Sequence, residues 1–86
     1  MKVYIPTHLR SYTGQESHVA VRGKTIAEAM EDLNAKYPGI RFRIIDEQDQ
    51  VREHIRIFLN QEQINSLEMP VSDNDDIHII AALSGG

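Results

Sequence analysis

The chain has 86 residues, 41% of them hydrophobic and 26% charged, which is enough for one domain and one core. It contains no cysteine, so disulfides, zinc-thiolate sites and a thiol nucleophile are excluded together. The formal net charge of −4 is spread along the chain and weighs against non-specific phosphate binding, which needs clustered Lys and Arg.

The opening residues, Met1 to Pro6, lack the apolar run of a signal peptide, and no stretch approaches the length of a membrane span, so the expected location is cytoplasmic. Val3 and Ile5 alternate with Lys2 and Tyr4, the period of a half-buried strand. Pro6 cannot donate to a ladder and predicts that this strand ends or bulges there. Ser11 to Gln15 reads as a polar turn, after which Val19 and Val21 resume the alternation up to Gly23. A first hairpin is expected.

Thr25-Ile26-Ala27-Glu28 has the spacing of a capping box, with Thr25 accepting a backbone N–H and Glu28 reaching back to the cap amide. Ile26, Ala29, Met30, Leu33 and Tyr37 then form one helical stripe, and Pro38-Gly39 stops it. The spacing predicts a helix over Ile26 to Tyr37. Ile40 to Ile45 fits a short helical turn and extended chain equally, and Asp46 to Glu53 reads as a charged loop. Ile55, Ile57 and Leu59 alternate with Arg56, Phe58 and Asn60 as in a strand. A short extra strand is allowed around Gln63 to Met69, Ser72 to Asp76 is a polar turn, and Ile77 to Ala82 is the last strand.

One amphipathic helix needs one sheet face to cover. The order therefore predicts an α+β fold of β-grasp (ubiquitin-like) type: a mixed four- or five-stranded sheet with one main helix packed across it, spanning residues 1–82. Its core is expected to comprise Val3, Ile5, Val19, Val21, Ile26, Met30, Leu33, Ile57, Leu59, Ile77 and Ile79. By alternation Tyr4, Arg56, Phe58, His78, Ile80 and Ala82 face away from the helix, an unusual apolar load for a solvated face. They are the expected partner-binding surface, with aromatic rings supplying contact area and Arg56 orientation.

Beyond Ala82 the sequence reads Leu83-Ser84-Gly85-Gly86, expected as a flexible tail of residues 83–86 delivered by an apolar strand. Glycines without Cβ atoms fit a narrow channel in a partner enzyme and leave the Gly86 carbonyl carbon unshielded. A free carboxylate is unreactive, so a separate enzyme has to activate it.

The other candidate groups have ordinary readings. His8, His18, His54 and His78 lack metal-motif spacing and are expected as surface residues, so no metal is expected. Asp73, Asp75 and Asp76 lack a calcium-loop pattern and are turn acids. No serine sits in a nucleophile elbow, and Gly14, Gly23 and Gly39 are isolated at turns, not joined in a phosphate loop. Arg41, Arg43, Arg52 and Arg56 are interspersed with Asp46, Glu47, Asp49 and Glu53, which predicts a mixed protein surface and no nucleic-acid site.

The order of elements, the opening Ile5-Pro6-Thr7, Leu9-Arg10 and Tyr12-Thr13-Gly14, and the ending Ala82-Leu83-Ser84-Gly85-Gly86 together resemble the ubiquitin-like sulfur carrier proteins. That family contains the small subunit of molybdopterin synthase and the thiamine-pathway sulfur carrier, and the resemblance is strongest to the carriers that feed cysteine biosynthesis. It covers essentially the whole chain. The resemblance implies a protein co-substrate and not an enzyme: an ATP-dependent partner adenylates the Gly86 carboxylate, a sulfur donor converts it to a thiocarboxylate, and an acceptor enzyme takes the sulfur. In the cysteine version a PLP-dependent synthase supplies an aminoacrylate and a zinc metalloprotease releases cysteine, so ATP, PLP and zinc belong to partners and no cofactor is bound here. Molybdopterin, tungstopterin and thiamine synthesis are the other acceptor pathways that it implies. Leu83-Ser84 stands where Val-Ala often precedes the diglycine. A ubiquitin-like modifier joined through Gly86 to target lysines and a noncatalytic adaptor are the alternative functions.

Overall fold

The computed structural model describes residues 1–81. Ala82, the domain boundary expected after it, and the tail Leu83, Ser84, Gly85 and Gly86 lie outside the described residues.

The first alternating segment forms strand β1 (Lys2–Tyr4), with Val3 fully buried. Pro6 ends it, because a residue without an N–H cannot continue the ladder, and becomes the N-cap of a 3-10 helix over Thr7–Thr13. A polar turn over Ser11 to Gln15 was the expectation; the connection is instead helical and buries Leu9, with Gly14 closing it at φ 62. The chain then returns as β2 (His18–Ala20), antiparallel to β1 with Val3 opposite Val19, so the hairpin stands with a wider connection.

Helix α1 (Ile26–Lys36) starts where the capping box puts it: the Thr25 hydroxyl accepts from the Glu28 N–H at 3.2 Å. Glu28 itself differs from expectation, its carboxylate accepting from the Lys24 N–H at 2.9 Å, one residue before the cap amide. The free N–H groups of Ile26 and Ala27, orphans of any helix start, donate to the Met69 and Leu67 carbonyls. The chain from Leu67 to Met69 thus plugs the helix N-terminus. Ile26, Ala29, Met30 and Leu33 are all fully buried, while Tyr37 serves as the half-buried C-cap. Gly39 turns the chain at φ 98, and the Asn34 side chain accepts from the Gly39 and Arg41 N–H groups at 3.0 and 3.1 Å. These bonds resolve the ambiguous segment as a short helix, α2 (Ile40–Ile44).

Strands β3 (Ile55–Leu59), β4 (Glu62–Gln63) and β5 (Asp76–Ala81) complete a five-stranded sheet ordered β2-β1-β5-β3-β4. Among the described strands only the β1–β5 pair is parallel, and the helices cover one face; this is the β-grasp arrangement. The extra strand is shorter and earlier than the Gln63 to Met69 expected, because Asn60 in the left-handed region (φ 57) turns the chain directly back along β3. The core corrects the sequence expectation in two ways. Leu9, Ala29, Ile40, Ile44, Ile45 and Ile55 join it, and Leu59, at the far end of β3, is only half-buried. Each fully buried Leu, Ile or Val contributes about 1.5–3 kcal/mol over leaving it in water.

Candidate functional site

Side chains one step out of phase with the core point away from the helices, and register lines them up across the sheet. His18, Tyr4, His78 and Phe58 stand opposite one another on β2, β1, β5 and β3, with Arg56 opposite Ile80 in a neighbouring row. The Tyr4 and His78 rings are stacked at 4.5 Å between centroids and 3° between planes, and His18 tilts against Tyr4 at 5.3 Å. Such ring pairs add about 0.5–1.5 kcal/mol beyond their area, so the row is a pre-ordered surface. Tyr4, His78 and Phe58 are half-buried by their neighbours, whereas Ile80 is 47% exposed. Five of the six residues expected on this face are therefore brought together by the structure, and the sixth, Ala82, lies outside the described residues. Arg56 is less free than a point charge on a solvated face: its Nη1 donates to the Glu53 and Ile55 carbonyls at 2.6 and 3.0 Å. His18 was missed, although its position beside Val19 in the alternation carried the signal.

The parallel pairing of β1 and β5 sets the second feature. Chain continuing past Tyr4 runs alongside chain continuing past His78, so the opening segment borders the end of β5. A depression of about 450 Å3 lies there, with Tyr4, Pro6, His8 and Arg10 on one side and Ile80 and Ala81 on the other. Arg10 is fixed beside it by donating from Nε to the Ile5 carbonyl at 3.0 Å.

The remaining candidates are structural. Asp75 accepts from the Asn60 side chain at 3.1 Å and the Ser72 N–H at 2.8 Å, and these bonds hold its carboxyl below the usual carboxylate range. Asp32 is likewise held low, first by the Arg22 N–H and then by Lys36. The arginines expected as a mixed surface do not share a face: Arg41 pairs with Asp49 at 3.1 Å, Arg43 and Arg52 sit beside the 3-10 helix and α2, and Arg56 is on the sheet. Among the described residues no group of three or more His, Asp or Glu is placed to hold a metal ion, and no helix is long and apolar enough to cross a membrane.

Comparison with known proteins finds relatives that cover nearly the whole chain. The sequence profile of the ThiS family matches residues 3–86. Sulfur carrier protein CysO of Mycobacterium tuberculosis (strain ATCC 25618 / H37Rv) is 34% identical, over 98% of this chain and 96% of its own length. A chain in the crystal structure of the Amycolatopsis orientalis BexX/CysO complex superposes with a TM-score of 0.91 at 34% identity, covering 99% of this chain and 98% of that one. The solution structure of small archaeal modifier protein 1 from Methanosarcina acetivorans superposes with a TM-score of 0.82 at 26% identity, covering 99% and 94%.

Proposed function

We propose, from the premise that this chain belongs to the ThiS family and is a sulfur carrier worked on by partner enzymes, that its cargo is held as a thiocarboxylate at Gly86 and delivered to cysteine synthesis. The observation that carries the reading is the reach of the family match, which runs through Gly85 and Gly86 on a fold whose central strand leads toward them.

The chemistry follows from what a carboxylate lacks. The Gly86 carboxylate attacks the α-phosphate of ATP on an activating partner, and pyrophosphate leaves. A sulfur nucleophile then attacks the acyl carbon and AMP departs with one of the original carboxylate oxygens, leaving C(=O)S⁻. Electrostatic stabilisation of that attack belongs to the partner, since the carrier supplies only the acyl group. The thiocarboxylate sulfur would next form a bond to the β-carbon of a serine skeleton held by a PLP-dependent partner synthase, the activated β-oxygen departing as the leaving group, to give a thioester between Gly86 and cysteine. Transfer of the acyl group to the amine gives a Gly86–cysteine amide, which a metalloprotease hydrolyses to cysteine and the original carboxylate.

Leu83, Ser84, Gly85 and Gly86 would thread the partner channel while Tyr4, Arg56, Phe58, His78, Ile80 and Ala82 dock against its mouth. The half-buried ring row supports this role, because rigid aromatic area binds at low ordering cost.

Likeness to a small archaeal modifier protein supports a second reading, attachment of the same Gly86 acyl group to target lysines. Intact-protein mass spectrometry after incubation with the host's activating enzyme, ATP and sulfide separates the two. A mass gain equal to exchange of one oxygen for sulfur, mapped to Gly86, is the carrier outcome. No such gain, with lysine adducts recovered from cells, is the modifier outcome.

A further inference from the structure

On the helix side of the last strand's end, a cup of about 530 Å3 is bounded by His8, Tyr12, Phe42, Arg43, Arg52 and His54. These residues come from the 3-10 helix, α2 and the chain entering β3. The β3–β5 register sets Ile55 opposite Ala81, which puts the cup beside the end of the central strand. His8 borders both the cup and the depression at that end, so the two are neighbours.

The cup is cationic in an acidic protein. Its wall holds two arginines and two histidines and no carboxylate, and neither arginine has a salt-bridge partner among the described residues. Asp46 and Glu53 do not line the cup but a neighbouring depression, which Arg52 and His54 also border. Each guanidinium is pinned by its inner nitrogen. Arg43 Nε donates to the Tyr12 hydroxyl at 2.9 Å, and Arg52 Nε donates to the Phe42 carbonyl at 2.7 Å while its plane covers the Phe42 ring at 4.5 Å. Pinning at Nε fixes each fork and leaves the outer Nη groups as the donors available to a planar oxyanion. The His8 and His54 rings lie with their centroids 6.3 Å apart and their planes tilted by 54°.

We propose that this cup binds an acidic segment of the partner enzymes, an Asp or Glu side chain whose carboxylate takes the Arg43 and Arg52 forks. Phe42 decides between a partner's carboxylate and a free phosphate. It is 55% exposed, and with the Tyr12 ring it gives the cup an apolar wall that a hydrated inorganic anion leaves unused. A peptide segment covers that wall with its side-chain methylenes. The position beside the end of β5 means that such a segment would engage while the tail is being threaded, and opposite charge would steer the encounter. The inference rests on the carrier reading only for who the partner is; the binding itself is read without any sulfur chemistry.

The test is a nitrogen-15 NMR titration of the full chain with an acetylated, amidated Glu-Asp-Phe-Glu-Asp peptide, its Gln-Asn-Phe-Gln-Asn counterpart, and inorganic phosphate. The expected result is saturable shifts at Ser11, Tyr12, Arg43, Arg52 and His54 with the acidic peptide alone, weakened at least about fivefold by Arg43→Gln or by raising salt past the screening length. Arg52→Gln should act alike; Arg43→Gln carries the test if loss of the Phe42 contact unfolds that variant. Equal binding of the neutral peptide, saturation by phosphate with no gain from the peptide, or no shifts at all would each overturn the proposal.

Discussion

The two faces of the sheet are built from the same strands and differ by one residue step. On the helix side Ile57, Ile77 and Ile79 are 0–3% exposed and meet the stripe of α1. On the open side their immediate neighbours Phe58, His78 and Ile80 run from half-buried to 47% exposed, and His78 is stacked on the Tyr4 ring and not held in a core. Core residues and the residues proposed for recognition are thus interleaved in sequence yet separated in space. A change on one face should therefore leave the other largely intact, which makes the division open to experiment.

The largest effect should come from Ile77→Ala, which empties a fully buried site at the middle of the sheet and should cost about 2–5 kcal/mol, read from urea unfolding. Gly23→Ala comes next. Its added Cβ would lie 2.6 Å from the Ala29 nitrogen and 2.9 Å from the Glu28 carbonyl carbon, both helix backbone, and such overpacking typically costs about 1–3 kcal/mol. Phe58→Ala tests the opposite face: affinity for the activating enzyme should fall about tenfold by calorimetry while thermal stability drops far less than in Ile77→Ala. Equal destabilisation by the two substitutions would collapse the comparison. The smallest effect belongs to Asp75→Asn, in the turn that leads into β5. A carboxyl whose pKa is lower in the folded than in the unfolded state stabilises above the unfolded value and loses that contribution as pH falls through the folded one. The stability difference between the parent and Asp75→Asn should be constant above about pH 5 and shrink below about pH 4, followed by thermal melts across that window.

Much of this division was legible in the sequence. Period-two alternation assigned Tyr4, Phe58, His78 and Ile80 to the face opposite Ile57 and Ile77, because a strand leaves a side chain only two directions. The capping box located the start of α1 to the residue. Illegible were the elements too short to complete a period: the 3-10 helix buries Leu9 and Thr13 alone, and α2 has five residues, so neither produced a stripe to read. The cationic cup was hidden for a different reason. His8 and His54 are far apart in the chain and brought together only because β1 and β3 flank the same central strand. No local spacing encodes that meeting. The tail residues Leu83 to Gly86 were singled out by the sequence, but they fall outside the described residues and are tested only by the chemistry proposed for them.

The strand order has a consequence for how the protein is made. β5 lies at the centre of the sheet, between β1 and β3, although it follows the other four described strands off the ribosome. Until it emerges, the N-terminal hairpin and the β3–β4 pair have no shared neighbour and present unpaired edges. A message cut short before Asp76, or a nascent chain stalled there, yields polypeptide that cannot close its core and is open to proteolysis.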